Sequence, residues 1–371
     1  MKFQAPVVRK FFVFGFLLLL SVSCSKEEQS GTEILSSEVR SALTAAADKV
    51  FLETSTPGLI ALVSVDGESD FLIKRGVSNL VTGEPIHENN AFRIASVTKT
   101  FTGTALLILA DEGLIDLDAS VASYLPEYDI PAGDALTVRM LANMTSGLFD
   151  YSNDPGLWEA FIESGFTLVF PPDSLIAIAL RHPPLFAPGA AYNYCNTNTV
   201  LLGLLMEKIT GKPAHQVLHE KVIEPLKLKN TYFGGPFYLT APYTHGYYVG
   251  DEGLQDATNW NPSWGYTAGA MVSNLRDMKN WARYLADGAL LSEAMKAERS
   301  NFGTDNYGLC LESINYKSDL WVGHPGVIPG YNTQVWRNQA KKITLIINSN
   351  TDNDFPAQNL LIAYVILLGD L

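Results

Sequence analysis

The chain has 371 residues, 47% of them hydrophobic, and a formal net charge of −13 from 26 Lys and Arg against 39 Asp and Glu. No basic run or basic amphipathic helix offsets that balance, which excludes nucleic acid and peripheral binding to anionic lipid. The length and apolar content allow a large core and two lobes, and the chain has no internal repeat or low-complexity segment.

The chain opens with basic Lys2, Arg9 and Lys10, then a dozen mostly apolar residues from Phe11 to Val22, then Ser23-Cys24. A basic start, a short apolar run and small residues before a break predict an export signal over residues 1–23. The apolar run is too short to be a stable membrane-spanning helix. Cys24 after Ser21-Val22-Ser23 resembles a bacterial lipoprotein cleavage box, in which the cysteine is lipidated and becomes the new N-terminus. Leu20 stands one place earlier than the large aliphatic residue of such a box, and the alternative is a plain secretory signal with an incidental cysteine. Ser25-Lys26-Glu27-Glu28 resembles a charged tag for the outer cell surface, and residues 24–35 form the tether. Loss of Lys2, Arg9 and Lys10 takes the formal charge from −13 to −16. The expectation is an exported protein, lipid-anchored to a bacterial membrane in the periplasm or at the cell surface.

Leu59 to Val65 and Phe71 to Gly76 are apolar and β-branched around Asp66-Gly67, which predicts a hairpin. Next come Phe92-Arg93-Ile94-Ala95 and Ser96-Val97-Thr98-Lys99, opening an apolar stretch, Phe101 to Leu109, that ends at Asp111-Glu112-Gly113. This predicts a helix with Ser96 in its first turn and Gly113 as its stop. Residues three apart share a helix face, so the Lys99 ammonium sits beside the Ser96 hydroxyl. The helix N-terminus adds unpaired N–H groups and a positive dipole end. Taken alone, the same four residues also fit a capped helix start with a surface lysine.

From about residue 100 to 290 the pattern is mostly helical with Pro- and Gly-rich loops, predicting an inserted helical lobe. Within it, Pro188 to Asn198 carries Tyr194 and Asn196 at a loop-to-helix junction, before an apolar run from Val200 to Ile209 that ends at Gly211. Gly323-His324-Pro325-Gly326-Val327 follows the short apolar stretch at Trp321 and precedes the strand-like Thr333 to Trp336. Ile343 to Asn348 reads as a further strand and Asn359 to Leu368 as a closing helix, so the two chain ends build one α/β lobe around the insert.

S-x-x-K is one of the catalytic patterns of serine β-lactamases and penicillin-binding proteins. The three motifs, in this order and about 95 and 130 residues apart, resemble the serine hydrolases of the class C β-lactamase and D-alanyl-D-alanine carboxypeptidase family. Thr145-Ser146-Gly147-Leu148, Ser263 to Gly269 and Asn306-Tyr307-Gly308-Leu309 are similar to its connecting segments, so the likeness covers residues 40 to 370 and is strongest on the carboxypeptidase side. It implies an α+β, β-lactamase/transpeptidase-like fold over residues 36–371: an antiparallel sheet flanked by helices, an inserted mainly helical lobe, and a site in the cleft between them.

On that resemblance Ser96 is the nucleophile, and its hydroxyl needs a proton acceptor to attack at neutral pH. Lys99 is one candidate, if burial and a nearby cation depress its pKa. Tyr194 is the other and is favoured, because flanking ammonium groups promote its phenolate and no carboxylate holds a motif position suited to activating water. Asn196 hydrogen-bonds the substrate's acyl-side amide and Lys99. His324 keeps the cleft electropositive and donates toward Tyr194 or the substrate, and Gly326 lets a substrate backbone approach closely. The Val327 N–H pairs with that of Ser96 as the oxyanion hole. Trp264 is an aromatic wall of the substrate pocket, or else a core tryptophan.

No cofactor or metal is expected. His215 and His219 are four apart on a probable helix, but Glu220 is misplaced for H-E-x-x-H and no third ligand is suggested. Asp134, Asp150 and Asp154 lie in loops without a paired-acid pattern. No G-x-x-x-x-G-K-[ST] or G-x-G-x-x-G follows a strand. Cys195 and Cys310 are expected to be buried free thiols rather than a bridge.

The chain departs from its relatives where they carry Thr before the Gly and Thr or Ser after it; here those positions are Pro325 and Val327. Cys310-Leu311-Glu312 also lacks the arginine that the carboxypeptidase comparison leads one to expect. Losing a charged hydrogen bond in a desolvated site costs about 1.5–3 kcal/mol, so substrates with a free carboxylate on the leaving side are disfavoured. The expected function is an exported serine hydrolase that forms a Ser96 acyl-enzyme with an amide or ester, or with cell-wall-derived peptide. The alternative is a true D-alanyl-D-alanine carboxypeptidase or class C β-lactamase. A non-catalytic binding module is disfavoured by the intact Ser96, Lys99, Tyr194 and Asn196. The expected partners are a small peptide, amide or ester substrate and, through the lipid, the membrane; no protein partner is indicated.

Overall fold

A computed structural model describes residues 33–233, 239–353 and 355–371; the expected signal, Cys24 and most of the tether lie outside them. The strand Gly58–Val65 organises the fold, because it is buried along its whole length. Alternate side chains point to opposite faces of a strand, so it serves two cores at once. Leu59, Ala61, Val63 and Val65 pack with Leu43, Ala47 and Val50 of the first helix, Ser37–Glu53, and with Leu360, Tyr364 and Leu368 of the last, Pro356–Gly369. Ile60 and Leu62 face the larger core of the intervening helices.

The sheet has seven antiparallel strands in the order Glu84–Pro85, Phe71–Asn79, Gly58–Val65, Ile343–Ser349, Tyr331–Asn338, Asp319–Ile328, Glu312–Tyr316. The chain ends meet where Leu59 pairs with Ser349 and Val65 with Ile343, joining the N-terminal hairpin to the C-terminal meander. The expected strands and closing helix are present, each extending at least one residue beyond the apolar run that marked it.

Two helices run through the centre of the larger core. Thr98–Asp111 and Asn196–Thr210 are buried on nearly every side, through Phe101, Ala105 and Leu106 of the first and Val200, Leu201 and Leu205 of the second. Both first turns bury polar residues, Thr98 to Thr100 and Thr197 to Thr199, beside the serine turn. Gly211 ends the second helix in the left-handed region, at φ 68°, where the missing Cβ removes the steric penalty. Cys195 and Cys310 are both free and buried. Among the described residues, no helix is long and apolar enough to cross a membrane.

The Gly323–Gly326 motif places a proline in a strand. The segment lies inside the ten-residue strand Asp319–Ile328. Proline cannot donate to a ladder and is tolerated in a strand only where its nitrogen faces an open edge. The outer strand's pairing ends at Glu312 with Gly323, so from His324 onward only the Tyr331–Asn338 side is paired. Pro325 therefore turns its nitrogen to the open side. Successive backbone N–H groups alternate along a strand, so the Val327 N–H faces the same open side.

Candidate active site

Ser96 sits in a tight 3-10 turn, Ala95–Val97, that runs straight into the helix Thr98–Asp111. Ala95 enters this turn at φ 49°, a costly conformation for a residue with a Cβ, which persists only when its surroundings enforce it. Those surroundings include the Ile94 N–H, which donates to the Met271 carbonyl at 3.0 Å, and the strand at Gly326. A Cβ added to Gly326 would lie 2.3 Å from the Ile94 oxygen and 3.0 Å from the Ser96 nitrogen. Glycine is needed here for close approach, and the cleft strand is thereby pressed against the serine turn.

Lys99, one helical turn on, is fully buried. Its Nζ donates to Ser96 Oγ at 3.0 Å, to Asn196 Oδ1 at 2.7 Å and to the Ala268 carbonyl at 2.9 Å. Burial lowers its pKa to about 8, partly opposed by the negative charge of Asp150. The Lys99 nitrogen also lies 4.8 Å from the centre of the Tyr194 ring. From the sequence, flanking ammonium groups are expected to draw Tyr194 toward phenolate. Instead, burial holds its pKa well above that of an ordinary phenol, and the hydrogen bond with Ser96 opposes this only in part.

His324 is also corrected. It is buried, and desolvation together with the Lys99 charge pushes its pKa down to about 3, so it is neutral and adds no positive charge. Its Nδ1 donates to the Pro325 carbonyl at 2.6 Å, and Nε2 lies 3.2 Å from the Tyr307 hydroxyl. Both ring nitrogens are engaged by the protein. Glu312 Oε1 lies 3.7 Å from Nε2, with about a quarter of its side chain exposed (27%). Burial raises the Glu312 carboxyl pKa to about 7, against the pull of Lys99.

Asp150 is the residue that sequence reasoning missed. Its Oδ2 accepts the Asn196 N–H at 2.9 Å and the Asn196 side-chain amide at 3.1 Å, which turns Asn196 Oδ1 toward Lys99. Its Oδ1 accepts the Ser152 N–H at 2.9 Å and hydroxyl at 2.8 Å. No sequence signal links residues 46 positions apart in this way. Tyr307, noted only as part of a connecting segment, packs edge-on against both Tyr194 and His324.

A cavity of about 350 Å³ opens beside Ser96, with Asn196 and Val327 also on its wall. Tyr151, Trp158, Tyr248, Trp264 and Phe355 supply aromatic surface. Trp264 is thus a wall residue, steadied by the edge of Trp158 at 5.0 Å and by a hydrogen bond from the Tyr151 hydroxyl to its carbonyl at 2.6 Å. Ser96, Lys99, Tyr194, Asn196, Gly326, Val327 and Trp264 converge on one cleft, and His324 stands behind it. Among the described residues no group of three or more His, Cys, Asp or Glu could hold a metal.

The Beta-lactamase family profile matches residues 39–368. The chain belongs to the β-lactamase family. Two solved structures share its fold at a TM-score of 0.78. A D-stereospecific amidohydrolase from Streptomyces sp. is 31% identical, over 88% of this chain and 97% of that one. The D-amino acid amidase from Ochrobactrum anthropi SV3, complexed with D-phenylalanine, is 25% identical over 90% and 99%. Esterase EstB of Burkholderia gladioli is 31% identical over 215 residues, 55% of this chain and 54% of that protein. The chain spans about half the length of the first curated relatives that it matches. As a β-lactamase-family member it has an antiparallel sheet flanked by helices, as the sequence led one to expect.

Proposed function

We propose that this β-lactamase-family protein is a serine hydrolase that forms an acyl-enzyme at Ser96 from a small amide or ester lacking a carboxylate on its leaving side. The observation that carries this is the buried Lys99 nitrogen, held between Ser96 Oγ at 3.0 Å and Asn196 Oδ1 at 2.7 Å. With its pKa at about 8, roughly a quarter of the molecules carry the neutral amine at pH 7.5. Ser96 Oγ attacks the carbonyl carbon while its proton passes to Lys99. The Ser96 and Val327 N–H groups hold the developing oxyanion. Tyr194 stays protonated and gives its proton to the departing nitrogen or oxygen as the C–N or C–O bond breaks, recovering one from the Lys99 ammonium. Water then cleaves the ester by the reverse route.

One structural neighbour is an amidohydrolase by name, another an amidase, and one relative is an esterase, which supports this amide-or-ester reading. Pro325 and Val327 offer no hydroxyl to a leaving-side carboxylate, and a carboxyl, Glu312, follows where an arginine was expected. We also infer export and a lipid anchor through Cys24, from the basic start, the apolar run and the cysteine. The test is labelling with a fluorescent fluorophosphonate and a fluorescent penicillin, in wild type and Ser96→Ala. Labelling by the phosphonate alone, lost in Ser96→Ala, is expected. Labelling by both moves the reading to a carboxypeptidase or β-lactamase, and labelling by neither overturns it.

A further inference from the structure

The cavity beside Ser96 has aromatic walls and, among the described residues that line it, a single charged side chain, Asp352. This residue directly follows Thr351, which bridges to Tyr247 just beyond the sheet's last strand. Its carboxylate takes its own backbone N–H and those of Gly330 and Val249, which hold it in place. Its Oδ1 is nevertheless buried without a hydrogen-bond partner. Among the described residues, no Lys, Arg or His is paired with it; the ion pairs of the fold lie elsewhere. Oδ1 has no surface open to the cavity, so a ligand there meets this residue through the other carboxylate oxygen and through its charge, which no neighbouring cation offsets.

We propose that Asp352 is the ammonium subsite of this pocket, so that the preferred substrates are α-amino acid amides or esters with a free amine on the acyl side. This rests on the Ser96 hydrolase reading and narrows it. An ammonium has three donors and a full charge, which suits a carboxylate on the cavity wall with no cation beside it. Tyr248 and Phe355 also line the cavity, and aromatic lining suits a cation. Trp158, Trp264 and Tyr151 then offer an apolar surface for the substrate's side chain, and the volume of about 350 Å³ admits one as large as phenylalanine's. Burial pushes the Asp352 carboxyl up to about 7, and an ammonium beside it draws it back to the ionised form.

The test compares phenylalanine amide with 3-phenylpropanamide, and phenylalanine methyl ester with methyl 3-phenylpropanoate. Each pair differs only in the amine, and both enantiomers of the amino compounds are assayed. Wild type should favour the amine-bearing member by tenfold or more in kcat/KM, mainly through KM. Asp352→Asn keeps an oxygen for the backbone N–H groups and removes the charge, and it should reduce that ratio tenfold or more. If Asp352→Asn does not fold, as judged by its thermal transition, the wild-type ratios alone decide. Ratios near one in the wild type, or a ratio that survives in a folded Asp352→Asn, overturn the subsite while leaving the hydrolase reading intact. Failure of both pairs, together with no phosphonate labelling of Ser96, overturns the hydrolase reading and this inference with it.

Discussion

Asp150→Asn separates what holds the site together from what sets its proton chemistry. The carboxylate is 5% exposed, so water cannot replace what is lost. It accepts four hydrogen bonds, two from Asn196 on Oδ2 and two from Ser152 on Oδ1. Asparagine has one acceptor oxygen. If that oxygen faces Asn196, the new NH2 meets the Ser152 N–H, donor against donor; the Ser152 hydroxyl can turn to accept, but the backbone donor is stranded. If it faces Ser152, the Asn196 backbone N–H is stranded and its side-chain amide keeps only the Ser152 hydroxyl, at 3.2 Å. The cheaper pose strands one buried donor, about 1–3 kcal/mol, and weakens charged bonds to neutral ones, so a stability loss of about 2–4 kcal/mol is expected. Urea unfolding followed by fluorescence measures it.

The second consequence has a sign that no general loosening would produce. Asp150 is the strongest influence opposing the depression of the Lys99 pKa. Removing its charge destabilises the ammonium, so the Lys99 pKa falls further below about 8. The base works as the neutral amine, a fraction that rises with pH, so the acid limb of kcat/KM moves to lower pH. The ratio of variant to wild-type activity should therefore rise as pH falls from 9 to 6, although the variant is slower throughout. An acid limb that stays in place or moves upward refutes the reasoning: either the Asp150 field does not reach Lys99, or Lys99 is not the group whose ionisation limits the rate.

Gly326→Ala should lose Ser96 acylation and about 1–3 kcal/mol of stability, because the new Cβ meets the Ile94 carbonyl at 2.3 Å, a backbone atom that cannot swing aside. Phosphonate labelling and thermal unfolding read the two effects, and normal labelling would contradict the close approach. Wild-type protein should partition into detergent with Cys24 as its mature N-terminus, and Cys24→Ser should be released or remain unprocessed. Soluble wild type with another N-terminus rules out the lipid anchor.

The sequence carried the core strands and the serine turn because apolar runs and helix stops are local signals. Leu59 to Val65 reads as a continuous apolar run for the reason seen in the fold, namely that both faces are covered. What the sequence does not show is why Pro325 is harmless in the cleft strand: the neighbouring strand stops short, and that is a tertiary fact. The two reversed expectations, at Tyr194 and His324, share one cause. Charge counting along a chain supplies the Coulombic neighbours but not the burial, and burial dominates the pKa of both groups. Asp150 was invisible because its role is to orient a side chain 46 residues away.

Burial also decides how the leaving side of the cleft treats a carboxylate. Lys99 is committed to Ser96, Asn196 and Ala268, and both nitrogens of the neutral His324 are engaged. Tyr192, Tyr194 and Tyr307 remain protonated phenols there, each with its pKa raised by burial. Glu312, with a pKa of about 7, is thus the titrating anion of this face near neutral pH. A substrate carboxylate finds no cation free to grip it, but repulsion from Glu312 can be relieved by protonating that residue. At pH 8 this costs about 1.4 kcal/mol, one pK unit, and at pH 6 almost nothing. Acyl-D-Ala-D-Ala should therefore be hydrolysed more slowly than its C-terminal amide at every pH. The gap in kcat/KM should widen by up to about tenfold between pH 6 and pH 8. In Glu312→Gln the gap should persist without widening, because the missing hydrogen bonds remain and the titrating charge is gone. A wild-type preference for the free acid, or a gap that narrows as pH rises, would mean that a cation grips the carboxylate after all.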